Sequence, residues 1–255
     1  MLPLIYYNKI SKMAINVDIV YKTVLSILNK EQRGYMTPDE FNKVATQVQL
    51  EIYESYFEDL NQQTRVPQAD TEYADRRKNI DNKIAIFKTS GNCTRPTGAN
   101  FFTVPTGLHK IGTVIYNNEI EVQRVQPNDL LYVNLSPLTK PTKSFPIYTY
   151  TDGAGDPNNP RVYVYPASIT SGISVTYMRK PANVIWGYSG IGGSTWISGP
   201  YIYNSNNSVQ FELDPSEQTN VITKILMYAG VIVRDPSIVQ IAAQQSQAEE
   251  TNTKT

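Results

Sequence analysis

Apolar residues recur at the helical period near both ends of this chain and at a period of two between them. From Ile15 to Leu28 the apolar positions Ile15, Ile19, Val20, Val24, Leu25, Ile27 and Leu28 predict a helix, with Gly34 ending the region. Thr37, Pro38 and Glu40 then have the order of a capping box, in which hydroxyl and carboxylate satisfy each other's free backbone N–H groups. The helix they open runs to about Asn61 and carries Phe41, Val44, Ala45, Val48, Ile52 and Tyr56 on its apolar face. Two helices with a short joint predict a helical hairpin.

Residues 61–82 are polar, with Asp75, Arg76, Arg77 and Lys78 in succession, and read as a connection. From Ile84 the period changes. NKIAIFKTS, TVIYNNEIEVQRV, DLLYVNL, FPIYTYT, PRVYVYP, GISVTYMRKP and NSVQFEL are short β-favouring runs bounded by Pro, Gly, Asn and Asp. Asn117 and Asn118 mark a hairpin turn, and the strand ending at Pro166 is expected to pair with ISVTYMRKP after a short turn. TDGAGDPNNP reads as a long turn between tyrosine-rich strands. Such spacing predicts an antiparallel barrel or sandwich.

The helical period returns at FELDPSEQTNVITKILMYAGVIVRDP. Asp214 caps, Pro215 suits the first helical position, and Glu217 completes a second capping box. Val221, Ile222, Ile225, Leu226 and Ala229 form the apolar stripe, and Gly230 suits the helix end. Asp235, Pro236, Ile238, Ile241 and Ala242 repeat the pattern, after which QQSQAEETNTKT is too polar to offset the entropy of ordering. The predicted fold is α+β: an N-terminal helical hairpin, a central antiparallel β barrel or sandwich, and C-terminal helices packing back on the hairpin. In residues, 1–12 form an arm or upstream extension, 13–82 the hairpin and linker, 83–212 the β domain, 213–243 the C-terminal helices and 244–255 a flexible tail.

Composition narrows the function. Lys plus Arg equals Asp plus Glu at 23 each, so no dedicated nucleic-acid or anionic-membrane surface is implied. No apolar run approaches the roughly 20 residues of a membrane-crossing helix. The 18 tyrosines against 7 phenylalanines suit surfaces that are wet before assembly and buried after it, although sheets also favour tyrosine.

Candidate chemistry is sparse. Cys93 stands alone, without a nucleophile motif, and reads as an inert thiol. His109 is the only histidine, which excludes His-rich metal sites and leaves a Ser-His-Asp triad one possible base. GYSGIGGS lacks the order and following helix of a phosphate loop, and Asp152 and Asp156 lack the spacing of a calcium loop. No catalytic, metal or cofactor residue is therefore assigned. Glu51, Glu54 and Glu58 make an acidic stripe, which is either a solvated helix face or the lining of a passage that must not hold DNA. Trp186 and Trp196 flank the glycines of that loop. They either pack on the β domain or contact a partner.

The opening INVDIVYKTVLSILNKEQRGYMTPDEFNKVATQVQLEIYESYFEDLN and the closing FELDPSEQTNVITKILMYAGVIVRDPSIVQIAAQQSQAEE resemble neck and ring proteins of tailed bacteriophages. Within that group they are most similar to virion proteins of crAss-like and related podovirus-type phages of Bacteroidetes. The β middle matches only in type. The resemblance implies a non-enzymatic head-to-tail connector with no cofactor, a homo-oligomeric ring with the portal's twelvefold symmetry. It also implies contacts with the portal and other neck or tail proteins, and passage of viral DNA without sequence-specific binding. It places the protein in the virion, and in the host cytoplasm during assembly, with no membrane partner. Residues near the C-terminus, among them Gln240, Gln244 and Gln245, would reach a neighbouring subunit. A carbohydrate- or receptor-binding β module is the alternative, with the tryptophans and tyrosines as a stacking platform. A hydrolase using scattered carboxylates is a third.

Overall fold

A computed structural model describes residues 14–30, 35–63, 76–153, 156–189, 201–232, 240, 244 and 247–248. In chain order its elements are α1 (Val17–Lys30), α2 (Pro38–Gln63), α3 (Arg76–Ile84), β1 (Lys88–Asn92), β2 (Phe102–Thr103), β3 (Leu108–Tyr116), β4 (Ile120–Arg124) and α4 (Leu130–Leu135). They continue with β5 (Ile147–Gly153), β6 (Asp156–Tyr165), β7 (Ile173–Arg179), β8 (Tyr188–Ser189), β9 (Ile202–Tyr203) and α5 (Gln218–Ile232). The fold is α+β, and it divides into two compact units, residues 87–180 and the remainder on either side of them.

The predicted capping box forms. Thr37 donates its N–H and its hydroxyl to Glu40 Oε2 at 2.8 and 2.7 Å, and its Oγ1 accepts from the Glu40 N–H at 3.4 Å. These bonds to the charged form hold the Glu40 carboxyl below its usual range. Helix α1 starts on Asn16, whose Oδ1 accepts from the backbone of Asp18 and Ile19. Val20, Tyr21, Val24 and Leu28 of α1 are buried, as are Phe41, Ala45, Val48 and Ile52 of α2, while Ile19 and Ile27 face outward. The two helices meet where the Tyr21 ring lies 4.7 Å from that of Phe41.

Helix α5 returns to this pair, burying Val221, Ile225 and Ala229, and packs on α2 and α1. Its capping box closes only halfway. Asp214 Oδ1 accepts from the Ser216 N–H at 3.0 Å, but Glu217 turns to Lys83, 2.5 Å away. A three-residue turn of tight helix, Pro215–Glu217, therefore precedes α5.

The segment expected as a mere connection contains helix α3. It has no apolar period, so the sequence hid it; it is held by the buried Ile84, by the Lys83–Glu217 pair and by Lys83 lying over the Tyr56 ring. Residues 181–212, expected in the β domain, belong instead to the helical unit. The cause lies on α2. Asn42, Thr46 and Gln49, one polar row of that helix, pair with the backbone of Trp186, Val184 and Ala182. The spacing of every fourth or third helical residue matches every second residue of an extended chain.

The β unit is one curled mixed sheet in the order β1-β7-β3-β4-β5-β6-β2. Its edges meet through a bridge in which Thr94 and Thr103 exchange backbone hydrogen bonds of 3.1 and 2.8 Å. Phe102, Val114, Val122, Tyr148, Val162, Val164, Ile173 and Val175 fill its core. Asn117 and Asn118 take φ of 50° and 59°, so the predicted hairpin turn is present between β3 and β4.

Three strand expectations are corrected. The run ISVTYMR, as β7, pairs with β1 and β3 rather than with β6. The intervening segment buries Ile169 in the core and so crosses the unit instead of turning back. DLLYVNL forms helix α4, not a strand; it buries no residue, so its pattern carried no information about period. NSVQFEL forms no named strand, contributing one bridge at Val209 and the buried Phe211 and Leu213. The sheet also departs from all-antiparallel order, since β4 and β5 run parallel across the long crossover 125–146. The second C-terminal helix start at Asp235 and Pro236, the residue Gly34, and the glycine-rich stretch beyond Ser189 lie outside the described residues.

Candidate interaction surfaces

Among the described residues no group of three His, Cys, Asp or Glu side chains converges as a metal site. Cys93 is buried in the β core, and burial pushes its thiol up to about 11, so at neutral pH it is a protonated, poorly reactive group. His109 lies on β3.

The acidic stripe of α2 divides. Glu51 faces α5, accepting from Lys224 Nζ at 2.6 Å and from the Tyr228 hydroxyl at 3.2 Å. Burial, with that carboxylate beside it, holds the Tyr228 hydroxyl above its ordinary range. Glu54 and Glu58 are exposed. Only these two therefore remain on the outer face of the helix, and Glu51 serves the packing of α5.

Trp186 is 3% exposed, which corrects its assignment as a surface contact. Its ring lies 4.6 Å from Tyr21 and 5.7 Å from Tyr203, and its indole N–H donates to Asp18 Oδ1 at 3.0 Å. It packs on α1 and the β8–β9 hairpin, within the helical unit. Gln240 and Gln244 are exposed helical positions, whereas Trp196 and Gln245 lie outside the described residues.

Two surfaces that the sequence did not single out have the character of contact sites. The first is the crossover of the β unit. Leu131, Tyr132, Leu135, Leu138 and Phe145 are exposed there, Leu138 to 94% and Phe145 to 79%. Asp129 precedes α4 but makes no side-chain cap bond to it, and α4 buries none of its residues. A monomer gains nothing by showing five large apolar side chains within fifteen residues. The signal was present in the sequence as LLYVNLSPL, but its strand-like pattern implied burial.

The second is a groove of about 430 Å³ in the helical unit, with Phe211 and Leu213 in its floor and Ile86 and Val209 along its walls. Among the described residues its lining includes the carboxylates of Glu212 and Asp214 and no basic side chain. Both carboxylates are fixed by backbone donors, Glu212 by the Ala182 N–H and Asp214 by that of Ser216.

No protein-family model matches this chain, and neither does any curated protein.

Proposed function

We propose that the chain is a structural virion protein, a non-catalytic subunit of the ring-shaped connector that joins a bacteriophage portal to its tail and surrounds the DNA passage. The observation that carries the reading is the exposed apolar crossover of the β unit, which fits a subunit whose neighbour covers it. The resemblance of both ends to neck proteins supports it. So does the meeting of those ends in one helical unit, since α5 packs on α1 and α2. Equal numbers of acidic and basic residues suit a conduit, because strong phosphate binding would retard sliding DNA.

In this reading the partners are further copies of the chain, the portal and the adjoining neck or tail proteins, met in the host cytoplasm during assembly and retained in the virion. The carbohydrate-module alternative loses Trp186 as a stacking residue, because that ring is buried. Electron microscopy of the purified chain, alone and mixed with a portal, tests the proposal. Ring-shaped particles with a central opening, or a ring added to the portal end, are expected. Isolated subunits in both samples would refute it.

A further inference from the structure

The exposed crossover calls for a partner that is both apolar and acidic. Residues 130–145 carry Lys140 and Lys143 beside Leu138 and Phe145 and contain no carboxylate. Both lysines are exposed, and among the described residues neither ammonium has an ion-pair partner. The five exposed apolar side chains together present on the order of 800 Å² of surface, which is what one partner contributes to a standard interface. Helix α4 has six residues, too few to hold a helix in water unaided. A face with this area and this lack of internal support is completed by a partner.

Charge decides between the partners that the chain itself can supply. A symmetric contact of the crossover with its own copy sets lysines against lysines, and like charges oppose such pairing. The first thirteen residues, MLPLIYYNKISKM, are apolar but carry Lys9 and Lys12 and no acid, so they meet the same objection. The C-terminal stretch 235–250, DPSIVQIAAQQSQAEE, has the opposite character. Ile238, Val239, Ile241 and Ala242 precede Glu249 and Glu250, Asp235 stands at the start, and the stretch holds no base. Its described members Gln240, Gln244 and Ala248 are helical and exposed. As a helix of sixteen residues it is about 24 Å long and about 10 Å across, so the half of its surface turned to a partner is on the order of 500 Å², the larger part of what the crossover shows.

We propose that residues 235–250 of one copy dock on the crossover face 130–145 of a second copy. The apolar set of the donor lies against Leu131, Leu135, Leu138 and Phe145, and Glu249 and Glu250 face Lys140 and Lys143. Donor segment and acceptor face are different surfaces of one chain, so the contact is heterologous and repeats from copy to copy until rotation closes it. The inference rests on the ring-subunit reading and supplies that reading with an interface.

The test uses two single variants of the full-length chain, Ser144→Cys in the crossover and Ala248→Cys in the C-terminal stretch, both at exposed positions. They are produced together with different affinity tags and oxidised mildly, alone and with purified portal. Cys93 is buried and stays out of the reaction. A disulfide-linked dimer carrying both tags is expected. Its absence from both samples would overturn the proposal. So would an internal disulfide in the double variant without mixed dimers, which would place the C-terminal stretch on its own crossover. The native mass of the unsubstituted chain and its binding to the portal separate the two failures. A ring without the cross-link removes only this contact, and a monomer that adds no ring to the portal removes the ring reading as well. As a second measurement, Lys140→Glu with Lys143→Glu is expected to weaken self-association at least tenfold at an unchanged melting temperature, and adding Glu249→Lys with Glu250→Lys is expected to restore it. Unchanged association, or a loss that the second pair does not repair, would contradict the proposal.

Discussion

Asn42 holds Trp186 by its backbone on both sides: its Oδ1 accepts from the Trp186 N–H at 2.7 Å and its Nδ2 donates to the Trp186 carbonyl at 3.5 Å. Two turns along the same helix, Gln49 is 1% exposed and does the same for two separate strands of chain, donating to the Ala182 carbonyl at 2.7 Å and accepting from the Glu212 N–H at 2.8 Å. A helix thus supplies the partners that a neighbouring strand would give, and partly buried backbone groups of the return segment are satisfied.

Replacing Gln49 by leucine keeps the volume and takes the side-chain partner from a carbonyl and an N–H that are partly buried. The expected cost is about 1–3 kcal/mol, read from the urea midpoint, with Asn42→Ala in the same direction. A Gln49→Leu midpoint equal to that of the parent chain would show that the polar row is dispensable.

Gly172 takes a φ of +79°, and a Cβ there would overlap Asn117 Oδ1 in the hairpin turn. Gly98 has a φ of +78° with open space around it. Gly172→Ala is therefore expected to cost about 1–3 kcal/mol, and Gly98→Ala less, because only the first adds a collision to backbone strain. Thermal unfolding of the two variants side by side checks the order.

The Lys224–Glu51 pair is partly open, with side chains 15% and 36% exposed. Solvent screening limits its worth. A double-mutant cycle with Lys224→Met and Glu51→Gln is expected to give a coupling of about 0.5–1 kcal/mol that shrinks in high salt. A coupling that is salt-independent would contradict this account of how α5 is held.

Burial raises the Cys93 thiol from its ordinary 9.0 to about 11, so the folded chain holds that proton more tightly than the unfolded chain. The associated stability is complete below pH 9 and is lost as pH rises through about 11. Tyr148, raised by the same burial, adds to the loss in the same direction. Chemical denaturation across this alkaline range should show a shallower decline for Cys93→Ala than for the parent chain.

Helices α1, α2 and α5 were legible in the sequence because each buries one stripe and carries local start signals, as Thr37, Glu40 and Asp214 illustrate. The Asn117–Asn118 turn was legible for the same reason, since its backbone conformation selects its residues. What escaped depends on partners distant in the chain. Helix α3 has no apolar period and leans on Tyr56 and Glu217, and the segment 181–212 is assigned by bonds from α2. Helix α4 escaped because period reports burial, and it buries nothing. Of the predicted contact residues, Trp186 was misplaced because an aromatic beside glycines fits a loop tip and a core anchor equally well. Its indole bond to Asp18 decides for the anchor.

The native mass of the purified full-length chain, measured by sedimentation and native mass spectrometry over a concentration series, tests the central claim most directly. The account predicts one discrete large species near a dodecamer that persists on dilution and is lost in Leu138→Asp. A monomer at every concentration that also adds no ring to a purified portal would contradict it.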